Sequence, residues 1–427
     1  MADQYTSMQA VAEDALAEFH NQCSLIMAAN KDVQPQFLTG EFDKGATIKV
    51  RKPNKFLVTD GAVISSIPDT TERTVDLTLD TRKKVVMDFT TQDLTLYTKT
   101  QFKQRFIDPA VLQLANVVEA DVALKLTQQV YNHTGTAGTA PSSYADLARE
   151  KAFLNKMGIP EDHMFAMQED NYSSLISNAG LQNSFLPALN QEITRRYLTG
   201  NLAAMDIMHS VLMPVHIAGI GDPTATPANG YVAAGTVLSN IASGSTSTII
   251  TGLGNGTTGT FKKGDKVKFV GYYSINPIDT SITTGEPFEV TITEDAGAAS
   301  AGGEVTINFS PAIISDATSP YKNVDSQILA TTPVYIASAN TGAGSTTKVA
   351  YKTNVGFYRD AIQFAAPPLV IPKSVVPAAA GRMTDPETGI SIRLVESYDV
   401  INDKTITRMD MVYGVLINGE YAVAYLG

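Results

Sequence analysis

The stretch "FKKGDKVKFVGYYSINPIDT", Phe261 to Thr280, decides how this chain is organised. Apolar and polar residues alternate through its first half, and Lys262, Lys263, Lys266 and Lys268 crowd one edge. Alternation is the period of a half-buried strand, and the stretch reads as the opening of a small β barrel. Around it, from 221 to 345, helical periodicity vanishes. Short strand-like runs recur there: "STIITGL", "FEVTITED", "EVTINFS" and "PVYIAS", joined by segments rich in Gly, Thr, Ser, Asp and Pro. That spacing predicts a compact all-β barrel or sandwich. Acidic residues outnumber basic ones in this region, so the lysines are a local feature rather than a nucleic-acid surface.

The flanks read differently. Residues 1–31 predict a helix with Val11, Ala15, Leu16, Phe19, Leu25 and Ile26 on one face and Glu13, Asp14 and Glu18 on the acidic side. Alone it is marginal, so its apolar face should dock, on its own chain or as an arm on a neighbour. From 45 to 90, "ATIKVRKP" and "RTVDLTLD" have period-2 patterning, and the turn-rich "NKFLVTDGAVISSIPDTTE" lies between them. This predicts a long two-stranded excursion. Arg82, Lys83 and Lys84 follow, as a solvated face or the site of an acidic partner.

The strongest helix is "DPAVLQLANVVEADVALKLTQQVY", 108–131. Asp108 can cap it and Pro109 fits its first turn. Val111, Leu114, Val118, Val122 and Leu126 form the stripe, widened by Leu112 and Ala115. Such a rod would span roughly 30–35 Å. Residues 143–220 predict mixed α/β: helices in "YADLAREKAFLNKMG", "EDNYSSLISNAG" and "ALNQEITRRYLTG", a short strand in "HMFAMQ", and a strand in "MDIMHSVLMPVHIAG" with Pro214 inside it or at its edge. After Lys348 strands return, with aromatic-rich ends. Residues 221–345 therefore read as a guest set into an exposed loop of a host that both flanks build.

Bulk composition narrows the function. The 427 residues suffice for two or three domains. The single cysteine, Cys23, permits no intrachain disulfide, which suits a reducing compartment. The first residues do not resemble a secretory signal, and no apolar run is long enough for a transmembrane helix. A formal net charge of −11 argues against a protein that coats nucleic acid by gripping phosphates, though not against one that surrounds DNA.

Catalytic signatures are weak. "GLGNGTTG", Gly252 to Gly259, has glycine spacing but neither the following helix nor the Gly-Lys-Ser/Thr ending of a phosphate loop. His20, His133, His163, His209 and His216 have no spacing that signals a metal site. His20 and Cys23 share a helical face without the orienting group a nucleophilic pair needs. No catalytic, cofactor-binding or metal-binding residue is expected, and no cofactor.

The order arm, β excursion, rod helix, mixed domain, β guest and returning strands resembles the coat proteins of P22-type short-tailed bacteriophages. The insertion carries the most specific match: "FKKGDKVKFVG", then "GEPFEVTIT" and "GGEVTINFSPAIISDATSPYKNV". The resemblance covers essentially the whole chain. It implies an α+β HK97-type capsid fold with axial and peripheral domains, an E-loop, a long spine helix and an inserted all-β barrel-like domain. It implies an N-terminal arm (1–35), an E-loop region (36–95), a peripheral segment with the spine helix (96–142), an axial domain (143–220 and 346–380), the insertion (221–345) and C-terminal peripheral strands (381–427).

It further implies a homo-oligomer of hexamers and pentamers in an icosahedral shell, assembled in the bacterial host cytoplasm. A scaffolding protein and a portal protein would be its partners, and double-stranded DNA would be enclosed without sequence-specific binding. Glu13, Asp14 and Glu18 are candidate scaffolding or arm contacts. Arg82, Lys83, Lys84, Ser243, Ser245 and Thr246 are candidate contacts between capsomers. One departure stands out: 236–260, "TVLSNIASGSTSTIITGLGNGTTGT", reads as a loop with no charged residue, where some relatives use ion pairs. Contacts there would need hydroxyl and backbone hydrogen bonds or apolar burial. The competing readings are a secreted or tail-associated β-rich adhesion module, favoured by the Gly/Thr-rich segment, and an enzyme, which would need a deep polar pocket.

Overall fold

A computed structural model of the chain describes residues 23–33, 47–56, 58, 72–90, 103–139, 141, 144–159, 164–168, 201–202, 205–222, 231–254, 257–258, 260–337, 350–371, 380–384 and 390–426. The expected arm residues 1–22, the middle of the excursion at 59–71, and the two helices expected in "EDNYSSLISNAG" and "ALNQEITRRYLTG" lie outside the described residues.

In chain order the elements are helix α1 (Ser24–Ala28) and strands β1 (Thr47–Arg51), β2 (Thr74–Thr78) and β3 (Thr81–Thr90). A π-helical turn, Lys103–Ile107, leads into α2 (Asp108–Gln129). There follow β4 (His133–Thr134), α3 (Tyr144–Lys156), β5 (Met164–Gln168), β6 (Asn201–Leu202), β7 (Met205–His209) and β8 (Val215–Ile217). Next come β9 (Tyr231–Val237), β10 (Ser245–Thr251), β11 (Lys266–Ile275), β12 (Thr283–Ile292), β13 (Val305–Ile313) and β14 (Pro333–Ala337). The chain closes with β15 (Ala350–Tyr358), β16 (Ile362–Ala365), β17 (Ala380–Thr384), β18 (Ser391–Asp399), β19 (Lys404–Ile417) and β20 (Ala422–Leu426).

Two compact units divide the chain. The first takes residues 1–52, 74–122 and 362–416; the second takes 53–73, 123–361 and 417–427.

In the first unit, β16, β19, β18 and β17 lie side by side and β3 pairs along β19, from Thr90 opposite Lys404 to Thr81 opposite Tyr413. The two-stranded excursion expected from "ATIKVRKP" and "RTVDLTLD" is present. β1 and β2 form the ladder, Thr47 opposite Thr78 to Arg51 opposite Thr74, and β3 joins the larger sheet. Ten paired positions on β19 outweigh what a short hairpin offers a strand carrying Val85, Met87 and Phe89. β2 alternates as its sequence requires, with Leu77 buried while Thr74, Asp76 and Thr78 face out. Part of the N-terminal expectation holds too: α1 buries Leu25 and Ile26, and Ser24 Oγ and the Leu25 amide donate to Glu119 Oε1 of α2 at 3.0 and 3.2 Å.

The stripe of α2 is as read: Val111, Leu114, Ala115, Val118, Val122 and Leu126 are buried. Two details differ. Leu112 is 38% exposed and does not widen the stripe. Asp108 does not cap, because the chain is already helical when it arrives from the π-turn.

In the second unit, a seven-stranded sheet runs β4-β20-β15-β5-β7-β6, with β8 also on β15. α3 ends at Lys156 and is stopped by Gly158, whose φ of +72° suits a residue without Cβ. The run "MDIMHSVLMPVHIAG" is two strands, β7 and β8, with a turn between them in which Ser210 Oγ accepts from the Leu212 amide. Pro214, having no N–H to give a ladder, lies outside both. Strands β9 to β14 close a six-stranded barrel in the order β10-β13-β12-β11-β14-β9. Its interior holds Phe261, Val267, Phe269, Phe288, Val290, Ile307, Phe309, Ile328 and Ile336. The chain leaves the sheet at β8 and re-enters at β15, and those two strands are antiparallel neighbours, Ile217 opposite Ala350. The barrel is therefore the connection between two adjacent strands.

Candidate assembly site

With no catalytic constellation expected, what matters is how the barrel is seated and which side chains remain outward. Val267 and Phe269 of β11 point into the barrel, so Lys266 must point out of it. It does not reach solvent. Its Nζ donates to the carbonyls of Thr127 (2.9 Å) and Val130, and to Thr291 Oγ1 at 3.0 Å. The last turn of a helix leaves carbonyls without partners and carries partial negative charge, so a buried ammonium there acts as a side-chain cap. Burial pulls the Lys266 amine down to about 7, against the opposing pull of Asp265 and Glu289.

Asp265, next in sequence, is fully buried. It accepts from the amides of Gly219 (3.0 Å to Oδ2) and Lys262 (2.7 Å), and pairs with His216 Nε2 at 2.8 Å. A second link joins β4 to the barrel. His133 Nδ1 lies 2.6 Å from Glu289 Oε2 of β12, and Tyr231 OH of β9 sits 3.0 Å from His133 Nε2 and 3.3 Å from Glu289 Oε1. Burial first, then the Glu289 charge, pushes the Tyr231 phenol up. A 220 Å³ cavity beside these groups also meets Arg149, Lys156 and Glu286. Both nitrogens of His133 are engaged in the network and Glu286 pairs with Lys156.

A third contact fixes the ends of segment 53–73. Arg73 pairs with Glu420 at 2.7 Å and lies 4.8 Å above the Tyr321 ring, whose hydroxyl accepts from the Lys55 amide at 3.5 Å. These groups border a 320 Å³ cavity.

The site residues expected from sequence fall in three groups. Glu13, Asp14 and Glu18 lie outside the described residues. Arg82 is not a free basic side chain: it pairs with Asp410, as do Arg393 (2.8 Å) and Arg408 (2.9 Å). Lys84 stays exposed and Lys83 is half-buried. Burial works to raise the Asp410 carboxyl, but hydrogen bonds and charge from Arg393 and Arg82 outweigh it and hold the group below the usual carboxylate range.

Third, 236–260 is not one loop. Val237 ends β9, 238–244 turn, and 245–251 form β10, where β-branched Thr and Ile favour a strand. Ser243 Oγ accepts from the amides of Ser315 (3.2 Å) and Asp316 (3.4 Å), Ser245 opens β10 opposite Ile313, and Thr246 is exposed. Cys23 is buried, with its thiol pushed up by desolvation, which leaves it inert as a nucleophile. Reading by sequence missed Lys266, Asp265, His133–Glu289 and Asp410. The one signal available was the lysine alternating with core residues in "DKVKF".

The profile of a family described as P22 coat protein, gene protein 5, matches residues 1–423, and the chain belongs to that family. It is a major capsid protein, a subunit of the multi-subunit shell that forms a phage head. No curated protein sequence matches it. Solved structures similar to it include one from Mycobacterium phage Che8 (12% identity, TM-score 0.42, 93% of this chain and 89% of that one). Another is a capsid of Cyanophage P-SCSP1u (10%, 0.37, 90% and 84%), and a third a capsid of Staphylococcus phage Andhra (9%, 0.38, 94% and 83%).

Proposed function

We propose that this major capsid protein has an HK97-type fold in which the barrel is an insertion domain, and that it builds an icosahedral head from hexamers and pentamers. The observation that carries this reading is the barrel set between the adjacent strands β8 and β15 and locked to the end of α2 by Lys266. In this scheme residues 1–35 are an arm and 36–95 are the E-loop region, with β1 and β2 as its ladder. α2 is the spine helix, 143–220 with 346–380 form the axial domain, and 381–427 complete the peripheral domain.

The partners are a scaffolding protein, met by Glu13, Asp14 and Glu18, and a portal protein. Lys83, Lys84, Ser243, Ser245 and Thr246 remain as contacts between capsomers. The head encloses double-stranded DNA and assembles in the host cytoplasm. A net charge of −11 suits a wall that does not clamp each phosphate. The role is structural, without a catalytic step: many weak repeated interfaces become strong together. Electron microscopy of the purified protein, with and without its scaffolding protein, tests it. Closed shells are expected, and a protein that stays monomeric under both conditions overturns it.

A further inference from the structure

Two features of the molecule are complementary in polarity and charge. One is the 320 Å³ cavity of the second unit. Its wall is apolar at Met157, Ile278 and Phe288, and its border carries three cations, Lys55, Arg73 and Lys322, against one carboxylate, Glu420. Its volume lies at the lower end of the range for small-ligand clefts.

The other is the tip of the hairpin that joins β18 to β19 in the first unit. There Val400 is 78% and Ile401 93% exposed, an apolar pair at the end of a turn. The turn is built rather than loose. Asp399 accepts from the Ile401 amide (2.9 Å) and from Asn402 Nδ2 (2.7 Å), and Tyr398 OH donates to Asp403 at 2.8 Å. Within 396–404 the knob carries Glu396, Asp399 and Asp403 against Lys404, which is held by Asp88. Arg73 is held by Glu420, and the excess charge of the cavity border is positive where that of the apolar knob is negative.

We propose that the Val400–Ile401 knob of one copy of this chain enters the Met157–Ile278–Phe288 cavity of a second copy. The contact is heterologous, one surface meeting a different one, as rings and shells that close by rotation require. A preordered turn loses little conformational freedom on docking, which favours a contact made many times over. The inference rests on the shell reading above.

The test pairs Ile401→Cys with Ile278→Cys in one chain and oxidises assembled shells. A ladder of linked copies on a non-reducing gel, absent from either single variant, is expected. A second variant, Val400→Ser with Ile401→Ser, changes only exposed side chains and should raise the protein concentration needed for assembly by about tenfold or more. Shells that stay unlinked in the cysteine pair, or that form from the serine variant at the wild-type concentration, overturn the inference. A wild-type chain that forms no shells overturns the shell reading instead.

Discussion

Asp410 and Lys266 are both buried charges, and the protein treats them in opposite ways. Asp410 of β19 is surrounded by Arg82, Arg393 and Arg408, so its charge is more than matched and its carboxyl stays ionised below the usual range. Lys266 of β11 meets carbonyls and a hydroxyl, but no carboxylate touches its Nζ among the described residues. Desolvation wins there, and the amine titrates near neutrality. The difference teaches that burial alone does not set a charge state; the formal charge of the partners does. The first arrangement makes a permanent clamp across β3, β18 and β19. The second makes a cap whose strength follows pH.

The largest expected effect breaks the first arrangement. Asp410→Asn leaves three guanidinium groups facing one another without their anion, and should cost about 3–5 kcal/mol, seen as a lower urea midpoint. In the wild type the stabilisation from Asp410 is fully present above the unfolded carboxylate range. It is lost as pH falls below about 4 through the depressed folded pKa.

Lys266→Met sharpens the second side. The unfolded amine keeps its proton up to about 10.5, whereas the folded amine sheds it above about 7. The unfolded state therefore binds more protons in that window. Wild-type stability should rise from pH 7 toward 10, by at most about 1.4 kcal/mol per pH unit. The variant should lose that rise and, near pH 9, be about 1–3 kcal/mol less stable than wild type, because buried acceptors lose their donor. Equal pH slopes in the two proteins would contradict the assignment.

The smallest effect separates the members of the cluster. Arg82 is partly exposed and Asp410 retains two other arginines, so Arg82→Ala should cost under about 1 kcal/mol by the same denaturation assay.

Much of the fold was legible because it depends on periodicity. The 3.6-residue stripe from Val111 to Leu126, the alternation of Thr74 to Thr78, and the strand rhythm from Tyr231 to Ala337 each name an element and its inner face. The change of rhythm at about 221 and 345 is what suggested a guest in a host, the reading on which the proposed insertion domain rests. No local pattern gave β3 its partner: it joined β19, more than three hundred residues away in sequence. Within the uncharged run 236–260 the strand rhythm of "STIITGL" was legible, but the loop reading blurred it because Ser, Thr and Gly serve turns and strands alike.

By itself the sequence determined which residues face a core, since apolar spacing is a property of the chain alone and burial follows from it. It also set the net charge. Only the tertiary structure decided what covers the outer side of the barrel at Lys266, and what surrounds Asp410 between Met409 and Met411. A side chain that points away from its own core meets water or another element according to where distant segments pack. That packing assigns a buried lysine its carbonyls and a buried aspartate its arginines, and no local pattern of residues encodes it.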